Sequence, residues 1–144
     1  MKIRKANFRD AQRLSRLALS LSKYYGDDDP TGIAPFFKKR LTIKEFEKYL
    51  KEDKTYEHYI YEKNNQIIAY FSLLNETHFL YLFVDEQYHR QGIGKTLVEY
   101  ALKEKSHEIY TVNSSLYAIP FYQNLGFISN ASVQNYKSMI WLKN

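Results

Sequence analysis

"LFVDEQYHRQGIGKTLVEYAL", Leu82 to Leu102, joins an apolar strand-like run to an apolar helix-like run through Gly92, Gly94 and a lysine–threonine pair. Junctions of this kind form main-chain cradles for phosphate. The first amides of a helix have no internal partners, and the helix dipole adds partial positive charge there. Glycine lets the backbone approach an anion with no side chain in between. Behind the loop, Ile93, Leu97, Val98, Ala101 and Leu102 recur at helical spacing.

Two familiar cradles fit poorly. A dinucleotide fingerprint, G-x-G-x-x-G, needs glycine where Leu97 stands and must open a parallel βαβ unit. A triphosphate loop, G-x-x-x-x-G-K-[ST], is met at Gly94, Lys95 and Thr96, but its first glycine is replaced by His89. The run "EIYTVN" (Glu108–Asn113) also offers no aspartate at a strand end to hold magnesium.

The segments before the loop explain why a parallel unit is unsuitable. "HYIYE" (His58–Glu62), "QIIAYFSLL" (Gln66–Leu74) and "HFLYLFV" (His78–Val84) are rich in β-branched and aromatic residues. The separators "KNN" (Lys63–Asn65) and "NET" (Asn75–Thr77) are short enough for hairpins. Three antiparallel strands therefore lead into the glycine loop. Upstream, "KIRKA" (Lys2–Ala6) is a short strand, and Asn7 caps a helix with Asp10 favouring its positive end. Ala11, Leu14, Leu17, Ala18 and Leu21 form that helix's buried stripe. "GDDDPTG" (Gly26–Gly32) breaks it, and Thr42 with Glu45 opens a second helix carrying Phe46, Tyr49 and Leu50 on one face. Downstream, Glu108–Asn113 is a strand, and "AIPFYQNLGF" is a short helix with Pro120 in its first turn and Gly126 at its stop. "NYKSMIWLKN" holds a final strand, with an extra strand near Ile128–Val133.

Composition narrows the function classes. The 144 residues suit one domain, 1–144, with a sizeable core. No apolar run approaches the roughly 18 residues of a membrane span, and the N-terminus lacks a signal-peptide core. With no cysteine, zinc–thiolate sites, disulfides and thiol catalysis are excluded, which favours a cytoplasmic setting. The net charge of +5 suits a phosphorylated cofactor. Its lysines are scattered, so no nucleic-acid partner is expected.

A second stretch, "VNSSLYAIPFYQNLGF" (Val112–Phe127), completes the pattern. Together the two stretches resemble the GNAT superfamily of acyl-CoA N-acyltransferases. The first resembles its strand, [QR]-x-x-G-x-[GA] loop and helix; the second resembles its strand–asparagine–helix segment ending in F-Y-x-x-x-G-F. With the strand order, the resemblance covers almost the whole chain. The one departure is His89, where Gln or Arg is usual; neighbouring Arg90 can supply charge.

The resemblance implies an α/β (α+β) fold: a mixed, mostly antiparallel sheet flanked by helices, with strands four and five splayed apart. It implies acetyl-CoA as co-substrate and an amine acceptor, with no metal. The pantetheine arm would bond to the strand-four backbone at Leu82, Phe83 and Val84. The pyrophosphate would sit on the amides of His89, Arg90, Gln91, Gly92, Ile93, Gly94 and Lys95, and Asn113 would contact the arm. Tyr122 stands where the family usually has the acid that protonates the leaving thiolate; a phenol suits the task because its pKa exceeds that of a thiol.

The base is left open among His78, Glu76, Glu86 and water. A neutral imidazole can take a proton from the acceptor, and simple alternation places His78, Leu80, Leu82 and Val84 on one face. Without a cysteine to carry the acyl group, direct attack in a ternary complex is expected. "YYGDDDP" (Tyr24–Pro30), with Asp27, Asp28 and Asp29, either attracts a cationic amine or is a solvated turn. "PFFKKRL" (Pro35–Leu41) fits a lid, a homodimer contact or a capped core edge.

Overall fold

The structure, a computed structural model, describes residues 2–24, 38–51, 55–133 and 136–142, the side chains of 130–138 excepted. Asp27–Asp29 and Pro35–Phe37 lie outside the described residues.

Seven strands form one sheet in the order β1-β2-β3-β4-β5-β7-β6. They are β1 (Lys2–Lys5), β2 (Tyr56–Lys63), β3 (Gln66–Leu74), β4 (His78–Val84), β5 (Ile109–Ser115), β6 (Ile128–Val133) and β7 (Tyr136–Leu142). Every neighbouring pair is antiparallel except β4 with β5. The helices are α1 (Ala11–Ser20), α2 (Ile43–Lys51), α3 (Ile93–Leu102) and α4 (Ile119–Leu125). The expected mixed sheet is therefore present, and the extra strand near Ile128 is β6, paired with β7.

Asn64 and Asn65 turn the β2–β3 hairpin with φ of 51° and 63°, and Asn75 and Glu76 turn the β3–β4 hairpin with φ of 51° and 67°. Asparagine tolerates this left-handed region better than most residues, which is why the short separators read as turns. Strands β2 and β3 are buried on both faces, so their sequences are nearly continuous apolar runs. On one face Ile68, Phe71 and Leu73 pack against Leu97, Val98 and Tyr122 of α3 and α4. On the other, Ile60, Ile67 and Tyr70 pack with Leu14, Ala18 and Phe46 of α1 and α2. Helix packing on both faces excludes water from the middle of the sheet, and this apolar burial is the main stabilising term.

Asn7 does cap the first helical turn, accepting the Arg9 amide at 2.9 Å, while Asp10 accepts the Asn7 amide at 2.8 Å. Asp10 does more than complement a dipole. It is buried, and it takes a two-pronged contact from Arg4 of β1 at 2.9 Å on each oxygen, with Arg13 at 2.8 Å. Arg4 also holds Glu62 of β2 at 2.6 Å, so one carboxylate ties α1 to the sheet edge.

Candidate functional site

The site is built around a fork. Among the described residues β4 and β5 share two register pairs, His78 with Thr111 and Phe79 with Val112. Beyond these, β4 runs on to Val84 and β5 to Ser115 without pairing. The divergence begins at a β-bulge. Ser72 of β3 pairs with Tyr81, but Leu73 pairs with Phe79, so Leu80 is the extra residue.

The bulge corrects the simple alternation expected for β4. Phe79 joins the α3/α4 face, Leu80 and Tyr81 both join the α1/α2 face, and Leu82 and Val84 return to the α3/α4 face. His78, preceding Phe79, therefore shares a face with Leu80 and not with Leu82 or Val84. The main chain follows a matching rule. The Asp85 amide donates to Ile68 O at 2.8 Å, which makes 85/68 and 83/70 the mutually bonded pairs. Phe83 thus turns its N–H and C=O toward β3. Leu82 and Val84 turn theirs into the fork, so the expected backbone contacts with a guest narrow to these two.

At the end of β4 the chain curls into the glycine loop. Asp85 caps a short turn, Glu86–Tyr88, accepting the Gln87 amide at 2.9 Å. Arg90 and Gly92 then take φ of 63° and 79°. This alternation across Gln91 turns successive amides toward one side. Helix α3 starts at Ile93 with no side-chain cap, and its first internal bond is Thr96 N to Gly92 O at 3.0 Å. The amides of Ile93, Gly94 and Lys95 precede that bond and are free to receive an anion. Gly94 is needed for close approach: a Cβ there would lie 3.2 Å from the Phe121 ring and 3.4 Å from Val84 Cγ2. The helix start is thereby pressed against the tip of β4.

His89, the departure from the family pattern, has a structural use. Its Nε2 donates to Val84 O at 2.7 Å, fastening the loop to the strand. Its ring also meets Tyr24, 5.1 Å away, and Tyr24 packs at a tilt, 4.4 Å between ring centres, against Tyr117 in the turn after β5. This aromatic group spans the open end of the fork. Glu86 anchors it, accepting from Lys23 Nζ at 2.6 Å and from the Tyr24 hydroxyl at 2.9 Å. Lys23, and then Tyr24, hold the Glu86 carboxyl below the usual glutamate range. Glu86 is thus engaged as a carboxylate, while Glu76, in the hairpin turn at the far end of β4, pairs with His107 at 3.5 Å.

His78 and Tyr122 flank the vertex of the fork from opposite faces. Tyr122 is buried against Phe79, Phe121 and Phe127, with ring separations of 6.3, 5.2 and 5.5 Å. Burial pushes its phenol above the ordinary tyrosine range, so it stays protonated at neutral pH. His78 is half-buried, and its Nδ1 lies 2.8 Å from Thr111 Oγ1. Burial lowers its pKa below the ordinary 6.5, which keeps the imidazole neutral at pH 7. When Nδ1–H donates to Thr111, the Nε2 lone pair is free to accept a proton. Asn113 is exposed on β5 and registers with Ser138 of β7 on its other edge. It does not cap α4, whose N-cap is Ala118.

Among the described residues there is no group of three or more His, Cys, Asp or Glu that could hold a metal ion. Nor is any described helix long and apolar enough to cross a membrane.

A sheet whose parallel central strands part above a glycine-lined helix start defines the N-acetyltransferase fold, and solved structures with this architecture align over nearly the full chain. PaiA N-acetyltransferase from Thermoplasma acidophilum, solved in complex with coenzyme A, has a TM-score of 0.82 at 17% identity, covering 98% of each chain. A GCN5-related N-acetyltransferase from Rhodopseudomonas palustris has a TM-score of 0.81 at 18% identity, covering 98% of this chain and 94% of its own. An aminoglycoside 6'-acetyltransferase type Ii has a TM-score of 0.70 at 16% identity, covering 99% and 97%. Comparison with curated protein sequences gives no match. The model of the acetyltransferase (GNAT) domain matches residues 25–143, and the chain belongs to that family.

Proposed function

We propose that this protein transfers an acetyl group from acetyl-CoA to a primary amine by direct attack in a ternary complex. The observation that carries the reading is the fork: the main-chain groups of Leu82 and the Val84 N–H face the gap, the Val84 carbonyl being held by His89, and free amides from Ile93 to Lys95 stand at its mouth. The first can bond the amides of a pantetheine arm, and the second its diphosphate. Asn113 lies on the opposite strand to contact the arm. The coenzyme A held by the Thermoplasma neighbour supports the same assignment.

In this reading the thioester lies near the vertex. The amine nitrogen forms the new C–N bond, the C–S bond breaks, His78 accepts the proton lost by nitrogen, and Tyr122 protonates the departing sulfur. An alkyl ammonium has no lone pair, so the acceptor must first lose a proton; a neutral imidazole is suited to assist.

Acetyl-CoA at 100 times its dissociation constant should stabilise the fold by about 2.7 kcal/mol, a rise in Tm of several degrees. Mg-ATP and an oligonucleotide should give none. A shift with Mg-ATP and none with CoA would defeat the reading. Amines are then screened by release of free thiol.

His78→Ala tests the base. With the imidazole pKa lowered, wild-type kcat/KM should be flat near neutrality and fall only below pH 6.5, as the base becomes protonated. The variant should lose that acid limb and be roughly 10²-fold slower on the plateau. An unchanged pH–rate profile would remove His78 from the mechanism and leave water as the proton acceptor.

A further inference from the structure

The two faces of the sheet are not covered alike. On the α3/α4 side the packing continues past the fork, burying Tyr110 and Val112 of β5 and Met139 of β7 with Leu97, Val98 and Tyr122. On the α1/α2 side it stops at β4. Helix α1 lies over β3 and β4, and the buried group there takes in no residue of β5, β6 or β7 among the described residues.

Register fixes what the bare area presents. Ile109 of β5 pairs with Leu142 of β7, Thr111 with Ile140, and Ile140 with Ile128 of β6. Paired residues share a face. These alternate with Tyr110, Val112, Met139 and Trp141, which join the α3/α4 packing. Ile109, Ile128, Ile140 and Leu142 therefore form one floor on the α1/α2 side. Ile109, Leu142 and Ile128 are 49%, 60% and 62% exposed, so the floor is a contiguous aliphatic surface left in water. Such a patch marks a binding surface more often than a scatter of single side chains does.

One corner of the floor meets the vertex of the fork. Thr111 neighbours Ile140, and its Oγ1 lies 2.8 Å from His78 Nδ1. His78 and Tyr122 stand on opposite faces of that vertex. An amine that yields its proton to His78 attacks from the His78 face, while the thiol leaves toward Tyr122. On the β4 side of His78 this face is filled by the packing that takes in Leu80 and Tyr81. On the β5 side it is open, and a body attached to the amine can lie there.

A hollow of about 540 Å³ adjoins the same corner, lined by Thr77, Ser106, His107, Glu108, Ile109 and Thr111. Small-molecule sites span about 300–1,000 Å³, so the hollow suits a small amine rather than a second copy of the chain. Its lining holds one carboxylate, Glu108, beside a His107 already paired with Glu76 at 3.5 Å. One carboxylate can meet one ammonium on its way in. A polycation would leave its further charges over aliphatic side chains, where losing water is costly.

We propose that the acceptor is a monoamine with an apolar body, its nitrogen at His78 and its body laid over Ile109 toward Ile140 and Leu142. This rests on the acyl-transfer reading above and names its substrate class.

The test reads thiol release from acetyl-CoA with ethylamine, hexylamine and spermidine. Full burial of a methylene is worth about fourfold in binding. On a floor open to water, hexylamine should still exceed ethylamine in kcat/KM at least about tenfold, mainly through KM, and spermidine should do no better than ethylamine. Leu142→Asp and Ile109→Asp, both at exposed positions, should bring the hexylamine-to-ethylamine ratio down toward one, with the dissociation constant for CoA unmoved. Leu142→Met, which keeps the surface apolar, should restore the ratio. Preference for spermidine, or an unchanged ratio in both Asp variants, would overturn the proposal. Binding is read separately by NMR, with and without CoA: hexylamine should shift the methyl signals of Ile109 and Ile140. If wild type binds no CoA and releases no thiol, the acyl-transfer reading fails, and the methyl titration alone decides the amine site, shifts upholding it and their absence overturning it. A dimer in sedimentation whose Ile109 and Leu142 methyls ignore hexylamine would assign the floor to a second copy of the chain and overturn the proposal.

Discussion

Tyr122→Phe is expected to lower kcat about 10²-fold or more while leaving the dissociation constant for CoA and the melting temperature nearly unchanged. The ring packs among Phe79, Phe121 and Phe127, and phenylalanine fills the same space. No hydrogen bond of the hydroxyl is lost to protein, since it has no such partner among the described residues. What disappears is a proton donor. General acid catalysis contributes about 10² to 10⁴-fold when the leaving group needs the proton. The phenol is a fitting donor because burial raises its pKa further above that of a thiol. Thiol release from acetyl-CoA with a responsive amine measures the change. If the variant keeps full turnover, Tyr122 is a core aromatic and the thiolate leaves unaided.

The largest stability effect should come from Asp10→Ala. It removes an acceptor that serves Arg4, Arg13 and the Asn7 amide together. Breaking a buried ion pair on one side costs about 3–5 kcal/mol. Arg4 and Arg13 can reach water, so the lower part of that range applies, near 3 kcal/mol, or roughly a 10 °C fall in Tm. The pH dependence has a definite sign. Burial by itself would raise the Asp10 pKa, but Arg4, the Asn7 amide and Arg13 bring it below the ordinary 3.8. Its stabilisation is therefore complete above that value and is lost as pH falls through the lower folded-state value. Wild type should lose stability in strong acid, and the variant should show a shallower acid decline. Equal Tm values for the two proteins at pH 7 would show that the network contributes little.

These two residues mark what the sequence discloses and what it hides. The glycine loop was legible because its demands are local: Gly92 needs a left-handed φ and Gly94 must lack a Cβ. Tyr122 was singled out through its place in a contiguous segment ending at Gly126, where φ of 113° and a side-chain-free approach to Trp141 make glycine mandatory. The alternating and continuous apolar runs likewise gave away the strands, because burial on one or both faces imposes those patterns.

Long-range geometry was not legible. "HFLYLFV" reads as an unbroken strand, and nothing in its composition marks Leu80 as the extra residue; Ser72, whose Oγ accepts the Tyr81 amide beside the bulge, lies in another strand. Asp10 looked like a local complement to a helix end because its partner Arg4 is on a separate strand and Glu62 is far away in sequence. His89 looked like a lost cradle side chain because its reach back to Val84 O depends on the curl of the loop between them.

The parting of β4 from β5 after two pairs has a mechanical corollary. The sheet is two rafts, one of four strands and one of three, stitched along a short seam. An extended guest with amides of its own can lie in the unstitched length and act as a temporary eighth strand. Occupancy then serves the protein as reinforcement as well as reaction, and the vacated molecule should yield first along that seam.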